Sequence, residues 1–487
     1  MVGVMSLALV AAACGSSGGK SDAGGTTTAG SAAATTAAAT ATPAAAAATT
    51  AASAAPTTAA KAKFGKVDDK TYAGASNFKL DLSKCPSDWD INQGITASEI
   101  KFFTSQPTSG PLAGFGLIAD GMRSYFKYAG PAAGHTIVYE NKDDVYQADK
   151  TKANVDEAIA GKKYAGLATV IGTPNNLAIW ETTGKECMPQ LLNGTGAAQW
   201  GDVDGHPWTT GMQLDYTTEA ILWAEWIKKE FPSGAKVASV TFNNDFGKSY
   251  SKGFKIAIKG TKIELLTDEL HEATAPNLTN QFTNIEAKNP DVILIQTSGA
   301  FCVQALAEIE KRALKSKVMI SGTCGSISQF FKPLIDQGLT GKDTYILQYI
   351  KDVNDPEWAN DEFVKTFHEQ AKAQGLDDKQ STYATGWVFG WYLHEIVKLA
   401  ATYEGGLNRA NLTLAAHAID KTMPLMLPGV TNKMDGMNDA YLNEAARVAK
   451  YTITDPKATG TFVAQGEVIN KEGSLGTFAK FQAQTGA

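Results

Sequence analysis

The chain has 487 residues, 44% of them hydrophobic and 19% charged, with a formal net charge of −6. That length exceeds one ordinary core, so at least two domains are expected, and the acidic balance leaves no nucleic-acid footprint. No apolar run approaches the roughly 20 residues needed to span a bilayer.

The first 13 residues are small and apolar and lead into Cys14-Gly15-Ser16-Ser17. Small residues before a cysteine, followed by Gly and Ser, resemble a bacterial lipoprotein signal. Segment 1–13 is therefore expected to be removed and Cys14 lipidated. Two features depart from that pattern: no Lys or Arg precedes the apolar run, and Ala11 stands where Leu is usual. Residues 14–62 are Ser, Gly, Thr and Ala with occasional Pro, and between Gly15 and Ala60 only Lys20 and Asp22 carry charge. Such a composition cannot bury enough surface to offset chain entropy, so a disordered tether is expected. Its r.m.s. reach would be roughly 40 Å.

Beyond the tether, strand-like and helix-like segments alternate. Strand candidates are 99–104, 135–140, 164–172, 188–193, 235–242, 263–270, 291–298, 317–322 and 343–350, the last also readable as a connection. Helical periodicity covers 216–231, 246–258, 278–288, 357–374 and 381–402, and residues 439–465 return to short strand-like runs. This alternation predicts an α/β fold with parallel, helix-covered sheets, set out as two similar lobes.

The first strand opens into a loop of hydroxyls, Gly and Pro, from Ser105 to Gly116, and then a helix. In an open α/β sheet such a loop is where ligands sit, because free backbone N–H groups converge there. Gly114-Phe115-Gly116-Leu117-Ile118-Ala119 fits the loose dinucleotide pattern G-x-G-x-x-A. Ser105 to Ala113 intervene after the strand, however, where a nucleotide turn would place its first glycine almost at once. A nicotinamide cofactor is therefore not expected.

Besides Cys14, the cysteines are Cys85, Cys187, Cys302 and Cys324, and none forms C-x-x-C. Zinc and thioredoxin-like chemistry are poor fits. Outside the cytoplasm disulfides are the default, and the expected pairs are Cys85–Cys187 and Cys302–Cys324. The second pair follows two successive predicted strands whose ends should be neighbours. Buried free thiols are the alternative. The six histidines stand singly; His394-Glu395 starts like a zinc-protease helix, but Lys398 occupies the second ligand position. There is neither a G-x-S-x-G elbow nor a Walker loop. Nothing pairs a nucleophile with a base, so a non-enzymatic role without metal or cofactor is expected.

The order strand, Ser109-Gly110-Pro111, Gly114-Phe115-Gly116 helix, Val170-Ile171-Gly172-Thr173 loop, then Asn244-Asp245-Phe246-Gly247 after a strand, resembles the type I periplasmic binding proteins. The nearest branch is the leucine/isoleucine/valine-binding group, with its amide and urea receptors of ABC importers. Gly94-Ile95-Thr96-Ala97-Ser98-Glu99-Ile100-Lys101 is similar to the opening of many actinobacterial members. The resemblance covers about 85 to 465. It implies two lobes joined by three crossovers, near 206–216, 343–352 and 423–432. The first lobe would take 85–210 and 350–422, and the second 215–345 and 433–465.

The resemblance also implies a ligand cleft. Ser109 to Phe115 match the loop after the first strand, with Phe115 as an aromatic near the ligand. Thr173 and Thr195 match hydroxyls that hold a carboxylate or amide, with backbone from Asn193 and Gly194. Phe246, Ser298 and Tyr383 match cleft positions of the second lobe and a long helix. Amino-acid binders place an acid after the strand at 317–322, where this chain has Gly322-Thr323-Cys324, so that Thr323 takes the ligand-facing position. An unpaired ammonium in a desolvated cleft is costly, so an α-amino acid requires another acid, such as Asp245. A branched-chain amino acid, an amide, a carboxylate or a related polar compound are the ligands implied. The partners implied are a membrane ABC permease and, through Cys14, the membrane itself, with the protein monomeric and extracytoplasmic. A ligand sensor of the same fold, signalling rather than importing, is the rival reading.

Overall fold

The computed structural model describes residues 64–453 and 459–486. Cys14, the signal segment and the tether lie outside them. Among the described residues no helix is long and apolar enough to cross a membrane.

A small antiparallel sheet comes first, made of β1 (Gly65–Lys66), β2 (Thr71–Ala73) and β3 (Lys79–Asp81). Periodicity did not announce it, because its strands are only two or three residues long. Tyr72, Phe78 and Leu80 bury themselves against Trp208 and Leu414. The Cys85–Cys187 disulfide ties the segment that follows to the main body. Buried Arg409 fastens the same corner: its guanidinium donates to the carbonyls of Ala165, Asp90 and Cys187 and lies over the Trp89 ring.

The first large sheet has the order β5-β4-β6-β7-β8, all parallel, from β4 (Glu99–Ser105), β5 (Thr136–Lys142), β6 (Gly166–Ala168), β7 (Gln190–Asn193) and β8 (Thr209–Gly211). Helices α1 (Leu117–Ala129), α2 (Ala148–Ala160) and α3 (Thr173–Lys185) connect its strands. The second sheet has the order β10-β9-β11-β12-β13-β14-β15, built from β9 (Ala235–Phe242), β10 (Ile263–His271), β11 (Val292–Gln296), β12 (Lys317–Ile320), β13 (Thr344–Gln348), β14 (Ala445–Thr452) and β15 (Thr461–Ala464). Its first five strands are parallel and its last two antiparallel. Helices α4 (Tyr216–Glu230), α5 (Asp245–Ile258), α6 (Thr279–Lys288), α7 (Ala300–Lys311) and α8 (Lys332–Asp336) belong to this half. Strands such as Val292–Gln296 are buried at every residue, as parallel strands covered on both faces must be.

One further difference from the sequence expectation concerns the strands: Thr209–Gly211 adds a fifth to the first sheet, too short to show alternation. The 343–350 candidate is a strand, Thr344–Gln348, paired with β12. The chain then returns to the first lobe in α9 (Glu362–Ala373), α10 (Ser381–Ala400) and α11 (Arg409–Ala416), whose apolar faces share one core with α1 and β4. Gly121 of α1 and Gly386 of α10 let those helices touch backbone to backbone: a Cβ on either would lie within 2.9 Å of the other's Cα.

Residues 349–351 and 425–427 run side by side between the lobes, joined by Lys351 N–H to Leu425 O (2.8 Å) and Leu427 N–H to Tyr349 O (3.0 Å). After β15 the chain doubles back as β16 (Ile469–Asn470) on the start of β14 and ends in α12 (Phe478–Thr485). There Phe481 packs with Tyr441 and Ala198. The Cys302–Cys324 disulfide joins the first turn of α7 to the loop after β12, so both expected pairs are present.

Candidate functional site

The strand ends of the two large sheets meet at a cavity of about 170 Å³. Phe115 follows β4, Tyr146 β5, Gly172 β6 and Gly194 β7; Phe246 follows β9, Ser298 β11, Thr323 β12 and Tyr349 β13. All eight line it. Ligands collect at such ends because the loops there are free to differ while the strands fix their spacing.

In the first lobe, Asp144 positions the aromatic wall. Its carboxylate accepts from Ser105 Oγ (2.9 Å), Thr151 Oγ1 (2.9 Å) and the Tyr146 N–H (2.8 Å). This pins the loop that aims Tyr146 across the cleft, where its ring stacks on Phe242 of the second lobe at 6.3 Å. Gly172 has φ +98, and a Cβ there would sit 2.5 Å from the Tyr146 ring, so only glycine allows the approach.

Of the residues the resemblance assigns, Phe115, Gly194, Phe246, Ser298 and Thr323 line the cavity. Thr173, Asn193 and Thr195 are buried one layer behind it. The hydroxyls of Thr173 and Thr195 bond to each other at 2.5 Å, leaving the adjoining glycine backbone to face the cavity. Both amide atoms of Asn193 are buried without a hydrogen-bond partner. Two residues are elsewhere. Ser109 is exposed and donates to Asp143 Oδ2 (2.5 Å). Tyr383 is absent from the lining, and its backbone carbonyl faces Gly121 of α1. Its neighbours Ser381, Thr382, Ala384 and Thr385 take the lining position, because a helix turned by one residue presents another face.

Asp245 is exposed and does not line the cavity; one other acid lines it and a second lies behind the wall. Asp352, on the strand between the lobes, lines it, and burial pushes its carboxyl up to about 6. Glu219, in the first turn of α4, lies beneath Gly322. Its carboxylate accepts from the Gly322 N–H (2.8 Å) and from the Tyr250 hydroxyl (2.7 Å). Burial raises it to about 8 against the pull of those two bonds. The lining includes one cation, Lys351, whose ammonium is held by Asp361 (2.7 Å) and Pro424 O (2.8 Å).

The lobes touch around this cavity. The Ala300 N–H donates to Pro111 O (3.2 Å), and Leu112 is buried in the core of the second lobe. Thr382 Oγ1 donates to Gln329 Oε1 (3.1 Å), Ser328 Oγ to Gln380 Oε1 (2.8 Å), and Ser326 and Ser381 hydroxyls pair at 2.9 Å. Sequence reasoning passed over Ser326-Ile327-Ser328-Gln329. Its signal was available: a hydroxyl-rich stretch directly after a predicted buried strand. Tyr349 and Asp352 carried no such signal, since their position depends on how the lobes are joined.

The profile of the periplasmic binding protein family matches residues 99–457. No curated protein matches the chain by sequence. Among solved structures the chain is similar to a branched-chain amino acid ABC transporter protein from Thermus thermophilus with bound valine (TM-score 0.68, 15% identity, 80% of this chain and 100% of that one). It is similar to a fatty acid ABC transporter substrate-binding protein from Thermomonospora curvata (TM-score 0.67, 17% identity, 80% and 97%). A solute-binding protein from R. palustris in complex with 4-hydroxybenzoate also resembles it (TM-score 0.63, 18% identity, 77% and 97%). With its two α/β lobes and the profile match across most of its length, the chain belongs to the periplasmic binding protein family.

Proposed function

We propose that the protein is an extracytoplasmic receptor of an ABC importer that captures a small solute by closing its two lobes. The supporting observation is the cavity between strand ends of both sheets, rimmed by hydrogen bonds that join one lobe to the other. A ligand that touches both walls favours the closed arrangement over an open one by its differential affinity, and closure is what a permease would read. Lobe one takes 85–210 and 350–422, and lobe two 215–345 and 433–465. Phe115, Gly194, Phe246, Ser298 and Thr323 contact the solute, while Thr173, Asn193 and Thr195 support that wall from behind. Lipidation of Cys14 and the segment to residue 62 would hold a monomeric receptor near its permease.

The solved relatives bind valine, 4-hydroxybenzoate and, by name, fatty acids. Branched-chain amino acids, amides, urea and short or aromatic carboxylates therefore form the test set. A thermal-shift screen across it, with mass analysis of what is recovered, tests the reading. Stabilisation by at least one solute, recovered unchanged, is expected; recovery of a converted product would instead indicate an enzyme.

A further inference from the structure

Away from the cleft, the second sheet ends in an open edge. β10 pairs with β9 alone, and among the described residues no strand covers its other side. On that side Gln281 Nε2 donates to Leu270 O (2.9 Å). The neighbouring helix α5 packs against α4 on one flank, where Tyr250 stacks on Trp223 at 4.8 Å. Its other flank carries Lys248, Lys252, Lys255 and Lys259, about one per turn. These four line a groove of about 500 Å³ with Asp268 and Leu270 of β10. Leu270 is 47% exposed there, so the groove offers apolar surface as well as charge.

The charges in the groove do not balance. Asp268 is the one acid in the lining, and it is already spent: it holds Lys255 (2.8 Å) and accepts from the hydroxyls of Ser239 (2.7 Å) and Thr241 (2.6 Å). Lys248, Lys252 and Lys259 are exposed and pair with no acid among the described residues. Three unopposed ammonium groups, on a chain of net charge −6, select an anionic partner. They are strung along about 16 Å of helix and do not converge, which a single phosphate would require. The groove is concave, so a flat bilayer would meet the lysines without reaching β10. An extended polypeptide meets both. Side chains on one face of a strand recur about every 6.8 Å, and its backbone can pair with an open edge.

We propose that this groove docks an extended, acidic segment of another protein, which adds as a strand to β10 and sets its carboxylates against Lys248, Lys252 and Lys259. The groove shares no lining residue with the cleft and works independently of what the cleft holds.

A labelled octapeptide of alternating Glu and Thr, titrated with the full chain and followed by fluorescence anisotropy, tests this. The controls are the matching Lys and Thr peptide, tripolyphosphate by calorimetry, and phosphatidylglycerol vesicles by co-sedimentation. The acidic peptide is expected to bind, more weakly as salt rises, and to slow amide hydrogen exchange across Ile263–His271. Lys248→Gln, Lys252→Gln and Lys259→Gln combined should weaken it about tenfold or more. The triple Glu replacement should abolish binding. Both variants should melt near the wild-type temperature, because all three side chains are exposed. Equal binding of the two peptides, unchanged affinity in the triple variants, or binding without protection of β10 would overturn the proposal. Capture of vesicles or tripolyphosphate with no peptide bound would do the same. So would no binding of any probe, which would leave the lysines as guards of an open edge.

Discussion

At the scale of single residues, burial holds two acids at the start of α4 well above their ordinary titration range. Asp215 is raised to about 7 and Glu219 to about 8, in both cases chiefly by burial. In the unfolded chain such groups ionise near pH 4. Between those values the native state keeps protons that the unfolded state has lost, so stability falls as pH rises through the window, by up to about 1.4 kcal/mol per unit for each group. The ligand-free protein should melt at a lower temperature at pH 8 than at pH 5.5, and Glu219→Gln should flatten part of that slope. A melting temperature indifferent to pH across this range in the wild type would refute the assignment. The sequence did not show these acids. Glu219 sits in the first turn of a helix whose periodicity does not mark it as buried, and its burial follows from Tyr250 and Gly322, residues 31 and 103 positions away.

At the scale of elements, periodicity was informative where segments are long. The helices at 216–230 and 381–400 and the strands at 235–242 and 292–296 fall where alternation places them. It missed β1 to β3, β8 and the C-terminal segment after residue 465, whose α12 is anchored by Phe481 rather than by a sheet, although β6, β7 and β12, hardly longer, lie within predicted strands. The candidate site was half legible for a related reason. Strand-end loops follow from the βα pattern, but which side chain of a loop or helix faces inward depends on rotations that no pattern fixes, as Tyr383 shows. The loop at Gly114 offers an element-scale test. A Cβ there would come 1.7 Å from Nε2 of Gln329 across the cleft, the far end of a flexible side chain. Gly114→Ala should therefore leave thermal stability nearly unchanged while weakening solute affinity several-fold, about 1 kcal/mol, by disfavouring the closed arrangement. Unaltered affinity would mean that the Gln329 contact does not report closure.

For the whole molecule, the joined strands at 349–351 and 425–427 and the first passage between β8 and α4 are the connections between the lobes. The C-terminal segment crosses the same region, with β16 on β14 and α12 against Ala198–Gly201. Replacing Phe481, fully buried at this anchor, by Ala should cost about 3 kcal/mol and be visible as a lower denaturation midpoint. The proposed receptor activity depends on opening and closing about these connections. Spin labels at Lys150 and Lys248, two exposed positions flanking the Tyr146–Phe242 stack, measure it directly by pulsed dipolar spectroscopy. Without solute the distance distribution should be broad or long, and the solute selected by thermal shift should collapse it to a single short distance. One unchanging distance with and without that solute would contradict the account.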